Sequence, residues 1–304
     1  MIIDKLIESI KAKQNPSVVG IDTAFSYLPE ERKKGITNNE EACSAIYSFN
    51  KEIIDSIYDI VPAVKVQVAY YESYGVSGMK VFRDTMDYAR QKGMIVIADI
   101  KRNDIGATSK AYSSAYIGTN DIDISAEFNS DMITLNGYLG SDGINPFLDD
   151  CKKYDRGGFV LVKTSNPSSS ELQNLVCGDK LLYQIMGDLV ALWGKEIIGE
   201  YGYSSLGAVV GATHKSEAKT LRKALPSLFF LVPGYGVQGG LAADLTVCFD
   251  DNGLGAIVNS SRGIICAYQK MGLSVGESAR QASLIMRDDI VGALIEQGKT
   301  KWLD

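Results

Sequence analysis

The chain has 304 residues, 45% of them hydrophobic, and a net charge of −6 spread along its length, enough for a large core but without the basic run that tracks a nucleic-acid backbone. Five widely spaced cysteines (Cys43, Cys151, Cys177, Cys248 and Cys266) form no C-x-x-C pair and His214 is the only histidine, so neither a disulfide framework nor a zinc site is expected. No stretch approaches the roughly 18 to 20 apolar residues of a membrane span, and the opening MIIDKLIESIKAK lacks a signal-peptide core.

That opening reads instead as an amphipathic helix, and the whole as a soluble cytoplasmic protein with neither membrane nor nucleic acid as partner. Eight short β-rich runs follow, at 17–22, 63–69, 94–101, 132–136, 158–165, 207–213, 228–233 and 255–260. Helical segments at 40–60, 77–91, 108–117, 181–200, 215–224 and 277–296 lie among them. Eight strands spaced by helices favour a closed (β/α)8 TIM barrel over an open doubly wound sheet. No Pro/Gly/Ser-rich linker divides the chain, so residues 1–304 read as a single domain. Three connections exceed what a barrel needs: 23–39, 137–150 and 166–180. Each follows a strand's C-terminal end, the face where barrels place their sites, and reads either as a binding loop or as surface elaboration.

In chain order, the first candidate is Asp22, which ends VVGID and reads either as a helix N-cap or as an acceptor for ribose hydroxyls. In AVKVQVAY at 63–70, alternation puts Lys65, Gln67 and Ala69 on one face. The densest signal is IVIADIKRNDIGAT at 95–108, an apolar strand ending in four charges within six positions. Alternation aims Asp99 and Lys101 together into the barrel mouth, while Asp104 lies past the strand and could reach a neighbouring site or subunit. A buried charge needs partners, and Lys65, Asp99, Lys101 and Asp104 form an alternating set in which Lys101 is a proton donor.

Further along, FVLVKTSNPSS at 159–169 puts Ser165 on the face of Leu161 and Lys163. An inward Lys163 raises Schiff-base chemistry as a lesser option, and His214 after the sixth strand reads as structural or as facing the mouth. The run LFFLVPGYGVQGG at 228–240 ends in a glycine-rich loop with backbone N–H groups and Gln238 for an anion. Arg262, in IVNSSRGI at 257–264, follows the eighth strand. Loops after strands seven and eight are where barrels commonly bind phosphate, so a phosphorylated small-molecule substrate is expected.

With these residues in view, the chain resembles the orotidine 5′-phosphate decarboxylase family, more closely its longer bacterial form. The resemblance rests on D-x-K-R-x-D-I-G-x-T over Asp99, Lys101, Arg102, Asp104, Ile105, Gly106 and Thr108, with VGID at 19–22, TSNP at 164–167, P-G-Y-G-x-Q-G-G at 233–240 and S-S-R-G at 260–263. It implies loss of CO₂ from orotidine 5′-phosphate to give UMP, the last step of pyrimidine nucleotide synthesis, without metal or organic cofactor. It further implies that Lys101 protonates C6, Asp99 lies beside the substrate carboxylate, Lys65 contacts ribose, and Asp22 binds a ribose hydroxyl. Ser165 would read the pyrimidine amide edge, and Pro233, Gln238 and Arg262 would grip the phosphate. Asp104, Ile105 and Thr108 would complete the partner's site in a homodimer. The rival readings are a Mg²⁺-dependent decarboxylase of a sugar-acid phosphate on the same barrel and a non-catalytic nucleotide-binding regulator.

Overall fold

The eight apolar runs become eight parallel strands of a closed barrel in a computed structural model that describes residues 1–236 and 240–303. The strands are β1 (Ser17–Ile21), β2 (Ala63–Gln67), β3 (Ile95–Arg102), β4 (Met132–Leu135), β5 (Gly157–Lys163), β6 (Leu206–Val210), β7 (Phe230–Pro233) and β8 (Ala256–Ser260). Sequential strands pair in parallel and β8 closes on β1, where Val18 lies opposite Asn259 and Val19 opposite Ser260. Every residue of β1, β4, β6 and β8 is buried, as helices outside and side chains inside demand.

Helices α1 (Ile2–Lys13), α2 (Asn39–Ile57), α3 (Gly75–Gln91), α4 (Gly106–Tyr116), α5 (Ser141–Tyr154), α6 (Leu182–Trp193), α7 (Lys215–Ala224) and α8 (Val275–Glu296) form the outer layer. Their apolar stripes build the core; Ile46, Phe49, Ile53 and Ile57 of α2 are buried at helical spacing. Short helices at Ala242–Leu245 and Arg262–Ile265 follow β7 and β8. The barrel and its strand order are as the sequence predicts, with strand limits shifted by up to three residues.

One expectation fails. The connection predicted at 137–150 is mostly helix α5, because Ile144, Phe147, Leu148 and Cys151 carry a buried stripe that outweighs Pro146 inside the helix. The other two long connections are as expected and are themselves structured. The first holds a 3-10 turn (Phe25–Tyr27) and a short helix (Glu30–Lys33); the second holds a 3-10 turn (Pro167–Ser169), a helix (Ser170–Gln173) and a hairpin pairing Val176–Cys177 with Lys180–Leu181. Among the described residues, no helix is long and apolar enough to cross a membrane.

Candidate active site

At the C-terminal ends of the strands the barrel opens into a cavity of about 710 Å³. Its walls divide by chemistry. Strands β1 to β4 supply Asp22, Lys65, Asp99, Lys101 and Thr134, whereas β5 to β7 supply Leu161, Val209 and Leu231. A polar reacting group on the first wall therefore faces an apolar wall that keeps the local dielectric low.

Asp99 is the centre of the polar wall. Its Oδ2 accepts from Lys65 Nζ (2.7 Å) and Gln67 Nε2 (3.0 Å), and its Oδ1 accepts from Lys101 Nζ (2.6 Å) and Thr134 Oγ1 (2.8 Å). Burial opposes its charge, but the two ammonium groups and their hydrogen bonds outweigh that and hold its carboxyl well below the usual carboxylate range. Lys65 is buried between Asp99 and Asp22, whose Oδ1 is 3.4 Å away. Burial again opposes the charge, and the two carboxylates outweigh it, keeping the Lys65 ammonium above the ordinary lysine range.

The backbone is bent to make this arrangement. The β3–β4 register shifts between Ala98 and Arg102, and Lys101 has φ of 48°, in the left-handed region. The Lys101 N–H donates to Thr134 Oγ1 at 3.0 Å. A non-glycine residue in that region costs on the order of 1 kcal/mol, and it brings Lys101 over Asp99 at the rim, where its side chain is half exposed. Behind β1, buried Thr23 donates to Asn50 Oδ1 (2.7 Å), Asn50 to the Tyr71 hydroxyl (2.9 Å), and that hydroxyl to the Ile21 carbonyl (3.3 Å). This network fixes the strand end that carries Asp22. Asp22 caps no helix; the next turn has Ala24 at its N-cap.

The far end of the cavity is lined by Pro233, Gly234, Ser261 and Arg262. The Tyr235 hydroxyl ties this loop to α8 through Asp289 Oδ2 at 2.8 Å. Gln238 lies outside the described residues. A Cβ on Gly20 would collide with Ser261 Oγ, so that glycine leaves room for Ser261 and its neighbour Asn259. Asn259 donates to Ser261 Oγ at 3.3 Å, while its buried Oδ1 has no partner among the described residues.

An anion-accepting end, a charged wall and an apolar wall together suit a phosphorylated ligand. The family model described as orotidine 5′-phosphate decarboxylase / HUMPS matches residues 41–271. The chain belongs to this family. It is 43% identical over 299 residues to an orotidine 5′-phosphate decarboxylase of Clostridium perfringens (strain SM101), covering 97% of this chain and 100% of that one. It is 45% identical over 275 residues to the enzyme of the same description from Caldicellulosiruptor saccharolyticus, covering 88% and 90%. Among solved structures it is similar to an OMP decarboxylase of Leishmania donovani, with a TM-score of 0.75, 27% identity, and coverage of 97% and 98%. The near-complete coverage matches the resemblance to the longer bacterial form.

In this member of the decarboxylase family, the cavity brings together Asp22, Lys65, Asp99, Lys101, Ser165, Pro233 and Arg262. Asp104, Ile105 and Thr108 stand away from the cavity wall: Asp104 is half-buried, with its Oδ1 accepting from the Ile105 N–H at 2.8 Å, and Ile105 and Thr108 are exposed. Lys101 thus has one carboxylate, Asp99, within ion-pair distance among the described residues, not the two that the alternating set envisaged. Lys163 does not reach the cavity, because the β5–β6 register shifts between Leu161 and Lys163. His214 faces away as well, its Nε2–H donating to the Thr164 carbonyl at 3.0 Å. Sequence reasoning missed Thr134, Asn259, Gln173, Tyr27 and Tyr70, all on the cavity wall. Only alternation on the β4 run MITL could have singled out Thr134, a lone hydroxyl among apolar residues.

Proposed function

We infer that this chain decarboxylates orotidine 5′-phosphate to UMP and CO₂ in pyrimidine biosynthesis. The observation that carries the reading is the ion-paired Asp22, Lys65, Asp99 and Lys101 array, buried at Lys65 and Asp99, in the cavity of a family member. When the C6–carboxylate bond breaks, the electron pair stays on C6, CO₂ departs, and the ammonium of Lys101 gives its proton to C6. No adjacent π-system takes up the C6 charge in the usual way, so stabilisation falls to preorganised charge. Asp99, held by four donors, keeps the Lys101 ammonium fixed before the reaction starts. In this reading Asp99 also stands beside the substrate carboxylate.

The remaining roles follow the two ends of the cavity. Asp22 and Lys65 take ribose hydroxyls, Ser165 reads the pyrimidine amide edge, and Pro233, Arg262 and Gln238 hold the phosphate, whose binding energy can be used to lower the barrier at C6. The Lys101 ammonium supplies both positive charge and proton, so the proposed reaction uses no metal or organic cofactor. The functional unit is one barrel domain over 1–304, and Asp104, Ile105 and Thr108 complete the site of a second subunit. A cytoplasmic location fits the free cysteines.

The test is the ultraviolet absorbance of orotidine 5′-phosphate incubated with the purified protein, with and without EDTA, beside Lys101→Ala. The expected result is turnover unchanged by EDTA, reduced by about 10⁴-fold or more in the folded variant. Activity abolished by EDTA supports the Mg²⁺-dependent rival, and UMP binding without turnover makes the protein a regulator.

A further inference from the structure

Lys163 is fully buried, yet no carboxylate lies within ion-pair distance of it among the described residues. Its ammonium donates to Asn174 Oδ1 at 2.9 Å and Ser169 Oγ at 3.4 Å and sits 5.7 Å from the centroid of the Tyr183 ring. Burial pulls it below the ordinary lysine value, and the Glu217 carboxylate, beyond ion-pair distance, only partly offsets this. Burying an ammonium carries a desolvation cost that an apolar side chain of equal volume would avoid.

Both of its acceptors belong to one segment, the 3-10 turn, short helix and following residue that span 167–174. That segment and its root put Thr164, Ser165, Asn166 and Gln173 on the cavity wall. The root is clasped independently. The Thr164 N–H donates to Gln173 Oε1 at 3.0 Å, Gln173 Nε2 donates to Thr164 Oγ1 at 2.7 Å, and His214 holds the Thr164 carbonyl. Lys163 thus holds Ser169 and Asn174 from inside the protein, while Gln173 ties the far end of the segment back to Thr164 and His214 holds the root.

We propose that Lys163 is a positioning residue for base recognition, its buried ammonium fixing the 164–174 segment so that Ser165 and Gln173 meet the pyrimidine in a preset arrangement. This rests on the reading that Ser165 faces the base. Among the described residues, the phosphate end, on β7, β8 and their loops, shares no hydrogen bond with Lys163. Loss of the pin therefore affects ligands that carry a base and spares those that do not.

Calorimetric titration of wild type and Lys163→Met with UMP and with ribose 5-phosphate tests this. Methionine fills the same volume without a charge, so folding is expected to survive. The expected result is a loss of about tenfold or more in UMP affinity, with ribose 5-phosphate affinity held within about twofold and KM for orotidine 5′-phosphate raised more than kcat is lowered. Asn174→Ala, at an exposed position, removes the nearer of the two acceptors without touching the buried site and is expected to show the same split in smaller measure. Lys163→Arg restores part of the UMP affinity. UMP affinity unchanged in Asn174→Ala, or both ligands weakened equally in the variants of an active enzyme, overturns the inference alone. Wild-type protein that does not turn over orotidine 5′-phosphate overturns the decarboxylase reading, and this inference with it.

Discussion

Asp99 makes the energetics of the site specific to one side chain. Two ammonium groups, an amide and a hydroxyl converge on its two oxygens, and removing its charge leaves Asp22 alone to bridge Lys65. Asp99→Asn turns an amide NH₂ toward an ammonium, and kcat/KM on orotidine 5′-phosphate is expected to fall about 10³-fold. The same substitution has a pH signature. The Asp99 carboxyl lies below its ordinary value of 3.8, so its charge-linked stability is complete above that value and is lost as pH falls through the lower folded value. Lys65 is the reverse case: raised above 10.5, its contribution is complete below 10.5 and is lost as pH rises through the folded value. The difference in unfolding free energy between wild type and Asp99→Asn is therefore expected to stay constant from about pH 5 to pH 9 and to move against wild type below about pH 4. Denaturant titrations across that range check it, and a difference that changes between about pH 6 and pH 8 contradicts this account of Asp99. These charged residues were legible in the sequence because a charge on an apolar strand must be explained. Thr134 and Asn259 were not, since neutral polar side chains in a β-run raise no such demand. Lys163 was placed by alternation on the cavity face, and only the register shift beside it, which the sequence does not announce, turns it away.

The elements show where pattern and local signals compete. Strand alternation and length located every barrel strand, because each is an apolar run bounded by polar or glycine residues. Helix α5 was hidden by Gly140, Gly143 and Pro146, which read as breakers, although its buried stripe was present in the sequence. Tertiary packing decides that contest, and the consequence reaches the 103–105 segment. A Cβ on Gly143 would collide with Asn103 Oδ1 and come within 2.9 Å of the Asp104 carbonyl, while Ser109 Oγ of α4 donates to the Gly143 carbonyl at 2.8 Å. The first turn of α5 is thus the surface on which the 103–105 segment rests. Gly143→Ala suits helical backbone and gains ~1 kcal/mol of intrinsic propensity, so a loss of function would come from displacing that segment. The expected outcome is an unchanged far-ultraviolet spectrum with kcat/KM reduced about tenfold or more. Activity equal to wild type would mean that the 103–105 segment adjusts without consequence.

At the scale of the whole molecule, the D-x-K-x-x-D motif divides into two parts. Asp99 and Lys101 line the cavity of their own chain, whereas Asp104, Ile105 and Thr108 do not. Ile105, and Tyr138 and Leu139 in the connection after β4, are 56%, 73% and 49% exposed, and both amide atoms of Asn103 are buried without a partner among the described residues. Apolar side chains left at the rim of a site favour a self-complementary contact with a second copy. If each chain lends Asp104 to the other's cavity, inactive Lys101→Ala and Asp104→Ala chains complement each other. A hybrid dimer has one site with both side chains intact and one with neither. Random exchange of equal amounts makes half the dimers hybrid, so activity is expected to recover to about a quarter of the wild-type value. Mixing the two variants under conditions where a mass label demonstrates exchange, then assaying orotidine 5′-phosphate turnover, measures this directly. Exchange without recovery would place Asp104 in the service of its own subunit, and Lys101 would then have to hold its charge with Asp99 as its only carboxylate partner among the described residues.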